Sequence, residues 1–266
     1  MASVPKRISE RISAGIKKYQ PILAAVKARD VGEADTVTII KDLLSDVFGY
    51  DKYSEITSEF SIRGTYCDLA IKLDNKLATL IEAKAIGLDL KEQHVKQAVD
   101  YAANQGVDWV LLTNGATWRV YHLIFAKPIE QELVLEFDLT TLSSRSEKDI
   151  ETLFLLCKEG WQKSAIGEYH TQRQALSRFF VGAVLQNDTI LDVIRRELRR
   201  VSPDVKIDSE QIKDVLRNEV IKREVLEGEK AAEATKKISK SASKALRIVP
   251  KNNSTDAIGS AALSSD

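Results

Sequence analysis

The stretch YCDLAIKLDNKLATLIEAK, residues 66–84, constrains the fold of this chain more than any other. Apolar and polar residues alternate on both sides of Asp74-Asn75, and a period of two interrupted by turn formers is the signature of a β-hairpin. Two registers are open. A two-residue loop at Asp74-Asn75 pairs Asp68 with Ile81 and turns Glu82 to the opposite side. A three-residue loop, 74–76, pairs Leu73 with Leu77, Ile71 with Thr79, Leu69 with Ile81 and Cys67 with Ala83. That pairing gives one nearly apolar face and sets Asp68 opposite Glu82 on the other, with Lys84 two residues further on. Register follows the hydrophobic pattern, so the second pairing is expected.

Two adjacent carboxylates repel unless a cation lies between them. A hard divalent ion such as Mg2+ takes oxygen ligands and keeps waters for a phosphate substrate. A lysine beside it holds the attacking water or offsets phosphate charge. These are the parts of metal-assisted phosphodiester hydrolysis. The plainer reading makes Asp68 and Glu82 solvated residues on the outer face of a half-exposed hairpin, with Lys84 as a salt-bridge partner.

Downstream, Gln97 and Tyr101 lie four apart in a helical pattern and so share a side. Asp68, then Glu82-Ala83-Lys84, then Gln97-x-x-x-Tyr101 resembles the PD-(D/E)XK nuclease core with the extra Gln-x-x-x-Tyr motif of RecB-like members. The continuation YAANQGVDWVLLTNGATWRVY, residues 101–121, is similar to the N-terminal nuclease domain of the restriction (R) subunit of type I restriction-modification enzymes, here in stand-alone form. The likeness covers about residues 30–125. It implies that Asp68, Glu82 and the backbone carbonyl of Ala83 hold Mg2+, with Mn2+ as a substitute, and that Lys84 serves the water. It also implies that Gln97 and Tyr101 position the phosphate and the lysine. A glutamate on the first core helix often reaches the metal in that family, and Glu33 carries over as a further site residue. Its other reading is an acid placed at a helix N-terminus by the macrodipole.

The remaining pattern fits an α/β fold, a restriction-endonuclease-like mixed sheet flanked by helices with an α-helical C-terminal extension. Helices are expected over 5–28, 32–47 and 91–103. Strands are expected over 54–62, 107–113, 117–125 and, at an edge, 133–138, with a two-residue turn at Asn114-Gly115. Further helices are expected over 146–157, 172–185, 188–199 and 209–227, and the charged run 213–240 reads as one long exposed helix able to pair with another chain. The divisions are an N-terminal helical arm (1–30), a nuclease-like core (31–142), a helical extension (143–240) and a disordered tail (241–266). Trp109 and Trp118 sit in strand patterns and read as packing residues. His94, His122 and His170 are far apart in sequence, and none reads as a zinc ligand.

Charge is uneven within a neutral total. Residues 1–31 hold seven Lys/Arg against two acids, and 195–247 hold fifteen against ten, leaving 32–194 strongly acidic. An acidic core suits a site that gathers cations, and basic flanks suit phosphate contacts. Two cysteines make no disulfide framework and point to a cytoplasmic setting. No apolar run is long enough for a membrane span, and no Gly-x-x-x-x-Gly-Lys-Ser/Thr loop marks an ATP site. The expectation is a Mg2+-dependent endodeoxyribonuclease of restriction or anti-phage type, with DNA as partner and the helical C-terminus open to a homo-oligomer or partner protein. The alternative is an inactive nuclease-fold module that binds DNA or a protein.

Overall fold

The computed structural model describes residues 3–62 and 65–246. Helices α1 (Lys6–Ala28) and α2 (Glu33–Asp46) precede strands β1 (Ile56–Ile62), β2 (Thr65–Leu73) and β3 (Lys76–Ala83). Helix α3 (Glu92–Gln105) then crosses to β4 (Trp109–Thr113), β5 (Thr117–Ile124) and β6 (Glu130–Asp138). The six strands lie in sequence order, antiparallel except for the central β3–β4 pair, which is parallel. This is the mixed sheet expected. The parallel pair requires the α3 crossover, since strands running the same way cannot be joined by a tight turn.

Alternation along the central strands feeds two cores. Leu69, Ile71, Ile81, Leu111 and Val120 pack with α1 and α2 on one face. Ala70, Leu80, Val110 and Leu112 pack with Val95, Ala98 and Ala102 of α3 on the other. Covering both faces explains why β4 reads VLL without alternation.

Helix α1 is not a free arm. Ile8, Ile12, Ile16, Tyr19, Leu23 and Val26 recur at helical spacing and are all buried in the first core. Each such side chain contributes on the order of 2 kcal/mol when removed from water, far more than the basic surface of the helix offers. Arg11 fastens it further, donating to both carboxylate oxygens of Glu159 at 2.8 and 2.7 Å and to Val47 O at 3.0 Å.

The chain forms two compact units, the first ending at His170 and the second beginning at Thr171. Helices α4 (Glu147–Phe154) and α5 (Lys158–Gln162) therefore belong with the sheet rather than with a C-terminal extension starting at 143. Leu153, Leu155 and Cys157 lie in its core, and the Tyr50 hydroxyl donates to Leu156 O at 2.9 Å. Helix α6 spans Ala165–Ala175.

The second unit is helical, with α7 (Arg178–Leu185), α8 (Asp188–Val201), α9 (Ser209–Val215), a π-helical turn (Leu216–Val220), α10 (Arg223–Leu226) and α11 (Glu229–Leu246). The long helix over 213–240 does not form. The backbone turns extended at Ile221 and passes through positive φ at Gly228, and each break ends the hydrogen-bond ladder. Residues 241–246 belong to α11, not to a tail; 247–266 lie outside the described residues. Among the described residues no helix is long and apolar enough to cross a membrane.

Candidate active site

The β2–β3 hairpin satisfies both local rules at once. Asp74 and Asn75 both adopt positive φ, and Leu73 pairs with Lys76, so the loop has two residues rather than three. This is the turn geometry that right-twisted strands prefer. By itself it would set Asp68 against Ile81. A bulge intervenes: Lys72 pairs with Leu77 but Ile71 with Thr79, leaving Ala78 as the extra residue. Beyond it Leu69 pairs with Ile81, and the next position in that register sets Asp68 facing Glu82. The bulge costs one ladder position. Without it Leu69, Ile71 and Ile81, all fully buried, could not share the apolar face.

The carboxylate face is not open to solvent. Ala70 and Leu80, neighbours of Asp68 and Glu82 on that side, are buried beneath α3, and Glu82 is only 6% exposed. Asp68 Oδ2 accepts from the Ala83 backbone N–H at 2.8 Å, which ties the two strands at the site. Lys84 Nζ donates to Glu82 Oε1 and to Ala83 O, each at 2.8 Å. Burial raises the Glu82 carboxyl above its ordinary range; the Lys84 bond works against this, while nearby Asp68 adds to it. Burial alone would lower the Lys84 ammonium, but Glu82, Glu33 and Asp68 together raise it, so the lysine stays charged.

The site lies where the parallel strands end together, Ala83 opposite Thr113, with Lys84 N donating to Thr113 O at 2.9 Å. Clefts beyond the carboxyl ends of parallel strands are the usual ligand positions in α/β sheets. Glu33, the first residue of α2, reaches the same place, its Oε2 being 3.5 Å from Lys84 Nζ. Two residues that sequence reasoning missed hold this arrangement. Thr36 Oγ1 donates to Gly32 O at 2.9 Å and accepts from Ile86 N at 3.2 Å, joining the first turn of α2 to the chain leaving β3. Asn114 donates to Leu88 O at 3.0 Å and accepts from Thr117 N at 2.8 Å. Asn114 thus flanks the β4–β5 turn, whose central residues are Gly115 and Ala116, because its amide is committed to the segment after Lys84. A buried Thr and an Asn-Gly pair were the only signals in sequence, and neither names its distant partner.

Gln97 Nε2 donates to the Tyr101 hydroxyl at 2.7 Å, as their helical spacing allows. The Tyr101 ring is buried in the cluster containing Ala70 and Leu80, on the face that carries Asp68 and Glu82. The aromatic ring packs α3 on the sheet while its hydroxyl is engaged by Gln97. The contacts bring Asp68, Glu82, Lys84 and Glu33 together, while Gln97 and Tyr101 are joined to each other on α3, which packs on the same face of the sheet.

Trp118 is fully buried and Trp109 half-buried, as packing residues. The histidines are closer than their numbers suggest: the His122 and His170 rings lie 4.6 Å apart, and His170 Nε2 is 3.0 Å from Glu132 Oε2. His94 Nδ1 accepts from Lys91 N at 3.1 Å at the start of α3.

The donor set at Asp68, Glu82 and Ala83 consists of two carboxylates and a carbonyl, hard oxygens suited to Mg2+ with waters completing its shell. Among the described residues no group of three or more His, Cys, Asp or Glu side chains is gathered to hold a metal ion.

Residues 38–134 match the family model of the type I restriction enzyme R protein N terminus (HSDR_N). Over that segment the chain is similar to the N-terminal, nuclease-like domain of such restriction enzymes. The match spans every candidate site residue except Glu33. No curated protein and no solved structure matches the chain.

Proposed function

We propose, from the likeness of residues 38–134 to the restriction-enzyme R protein N terminus, that the chain is a Mg2+-dependent endodeoxyribonuclease acting in restriction or anti-phage defence. The observation that carries this reading is the Lys84 ammonium held against Glu82 and the Ala83 carbonyl, with Asp68 bound to Ala83 N, at the carboxyl ends of parallel strands. Asp68, Glu82 and the Ala83 carbonyl would hold the ion. When bound, Mg2+ supplies charge to the scissile phosphate and lowers the pKa of the attacking water. Lys84 orients that water by hydrogen bonding and offsets the negative charge that develops on the phosphate. Gln97 and the Tyr101 hydroxyl contact the phosphate from α3, which fixes the DNA strand for in-line attack. The Lys84 N bond to Thr113 O holds the Ala83–Lys84 peptide and with it the Ala83 carbonyl, so the backbone ligand is preorganised.

A supercoiled-plasmid assay with Mg2+ or Mn2+ tests the reading. Wild type converts plasmid to nicked or linear forms, and Asp68→Ala or Lys84→Ala abolishes this while circular dichroism stays unchanged. If no DNA form is cut with either ion and the variants behave like wild type in cells, catalysis is refuted.

One observation favours a second reading, a nuclease-fold module that binds DNA or a protein without cutting. Lys84 already pairs with Glu82 and bonds Ala83 O, so two of the three proposed ion ligands have a cationic partner without a divalent ion. Calorimetry separates the two, since a binding module takes up no Mg2+ at these carboxylates.

A further inference from the structure

We propose that Lys84 is a tethered cation that competes with the divalent ion for its ligands, and that Glu33 is the carboxylate that receives the ammonium when the ion displaces it. This rests on the nuclease reading above and assigns Glu33 a positioning role through Lys84 rather than a place in the ion's coordination.

The distances carry the argument. An ammonium has three donors. Two of those on Lys84 are spent at 2.8 Å on Glu82 Oε1 and Ala83 O, two of the three groups that would bind the ion. A lysine simply waiting to orient water has no need of the carbonyl. One oxygen cannot serve an ammonium and a divalent ion at contact distance, because like charges so close in a half-buried site repel strongly. Binding of the ion therefore requires Nζ to leave.

Glu33 marks where it goes. Its Oε2 lies 3.5 Å from Nζ, beyond hydrogen-bond length but near enough for a change of lysine rotamer to close the gap. It belongs to α2 and not to the hairpin, so it does not move with Glu82. The Thr36 bonds to Gly32 O and Ile86 N hold its helix turn against the chain that follows Lys84. The Lys84 side chain is 17% exposed and that of Glu33 48%, so the transfer carries the ammonium outward, toward solvent. A lysine parked on Glu33 remains charged and within reach of the substrate.

Isothermal calorimetry with Mn2+ alone, on the full chain, tests this through a double-mutant cycle. The four proteins are wild type, Lys84→Met, Glu33→Gln and the double variant. Lys84→Met is expected to bind Mn2+ about tenfold or more tightly than wild type, and Glu33→Gln about fivefold to tenfold more weakly, the lower end of ordinary site coupling. In the Lys84→Met background Glu33→Gln is expected to have an effect below about twofold, because there is no ammonium left to receive. Lys84→Arg, which keeps the charge, should restore near-wild-type affinity and guards against a fold defect.

Equal weakening by Glu33→Gln in both backgrounds would make Glu33 a direct partner of the ion and overturn the proposal. So would Lys84→Met affinity equal to or weaker than wild type. Absence of Mn2+ binding by all four proteins would overturn the proposal together with the nuclease reading. Binding by wild type with a flat cycle would overturn the proposal alone.

Discussion

Replacing Lys84 by methionine, with divalent ions chelated, strands the Glu82 carboxylate. Glu82 is 6% exposed, shares its face with Asp68 and has its ammonium partner at 2.8 Å. Removing one member of a buried ion pair is costly because the other charge remains. The cost has a ceiling, since Glu82 can escape by taking a proton. From the ordinary value of 4.5 to pH 7, at about 1.4 kcal/mol per pH unit, that ceiling is about 3 kcal/mol. At pH 5 the same ceiling falls below about 1 kcal/mol. The sign follows from burial raising the Glu82 carboxyl in the folded state. Above 4.5 the folded protein then holds more protons than the unfolded chain, so its stability falls as pH rises. In wild type the ammonium offsets much of this; in Lys84→Met nothing does. The stability gap between the two proteins should therefore widen by about 2 kcal/mol between pH 5 and pH 7. Trp109, Trp118 and Trp161, the only tryptophans in the chain, all pack in the sheet unit, so urea denaturation followed by tryptophan fluorescence reports that unit. A gap that is constant or narrows over this range would refute the claim that Glu82 is a buried carboxylate balanced by Lys84.

Three further perturbations probe the frame around the site. A Cβ at Gly15 would meet Val47 Cγ2 at 2.6 Å in a full core, so Gly15→Ala should lower stability by about 1–3 kcal/mol, with partial recovery on adding Val47→Ala in thermal melts. Thr36→Val keeps the shape but leaves Ile86 N without its acceptor, which should cost about 1–3 kcal/mol and weaken Mn2+ binding by loosening Glu33, as calorimetry would show. Burial, with His170 adjacent, lowers the His122 pKa below 6.5, so the unfolded chain binds the extra proton and stability falls as pH drops through 6.5. In His122→Phe that part of the dependence should vanish in melts at pH 5.5 and 7.5.

Much of this molecule is legible in local pattern. The 3.6 and 2.0 periodicities placed all six strands, helices α1 to α4 and the face shared by Asp68 and Glu82, but not α5. Periodicity failed where a break depends on single backbone conformations, as at Ile221 and Gly228, where a charged run that reads as one helix becomes several. It also could not show that α1 completes the core, because an amphipathic helix shows that it has an apolar face but not what that face meets.

The hairpin draws the boundary most sharply. Its sequence determined that Leu69, Ile71 and Ile81 belong to one face, and the pattern favours a three-residue loop to achieve it, whereas Asp74-Asn75 demand a two-residue turn. In an unbroken ladder these demands conflict, since a one-residue change of register reverses every side chain. Only the tertiary structure, where burial of three apolar residues outweighs one lost ladder position, resolved the conflict by the bulge at Ala78. The same holds for Glu33, Thr36 and Asn114, whose partners lie 26 or more residues away along the chain. Local sequence fixes which side a residue faces; which groups meet there depends on packing of distant segments, and that packing turned two carboxylates and a lysine into one site.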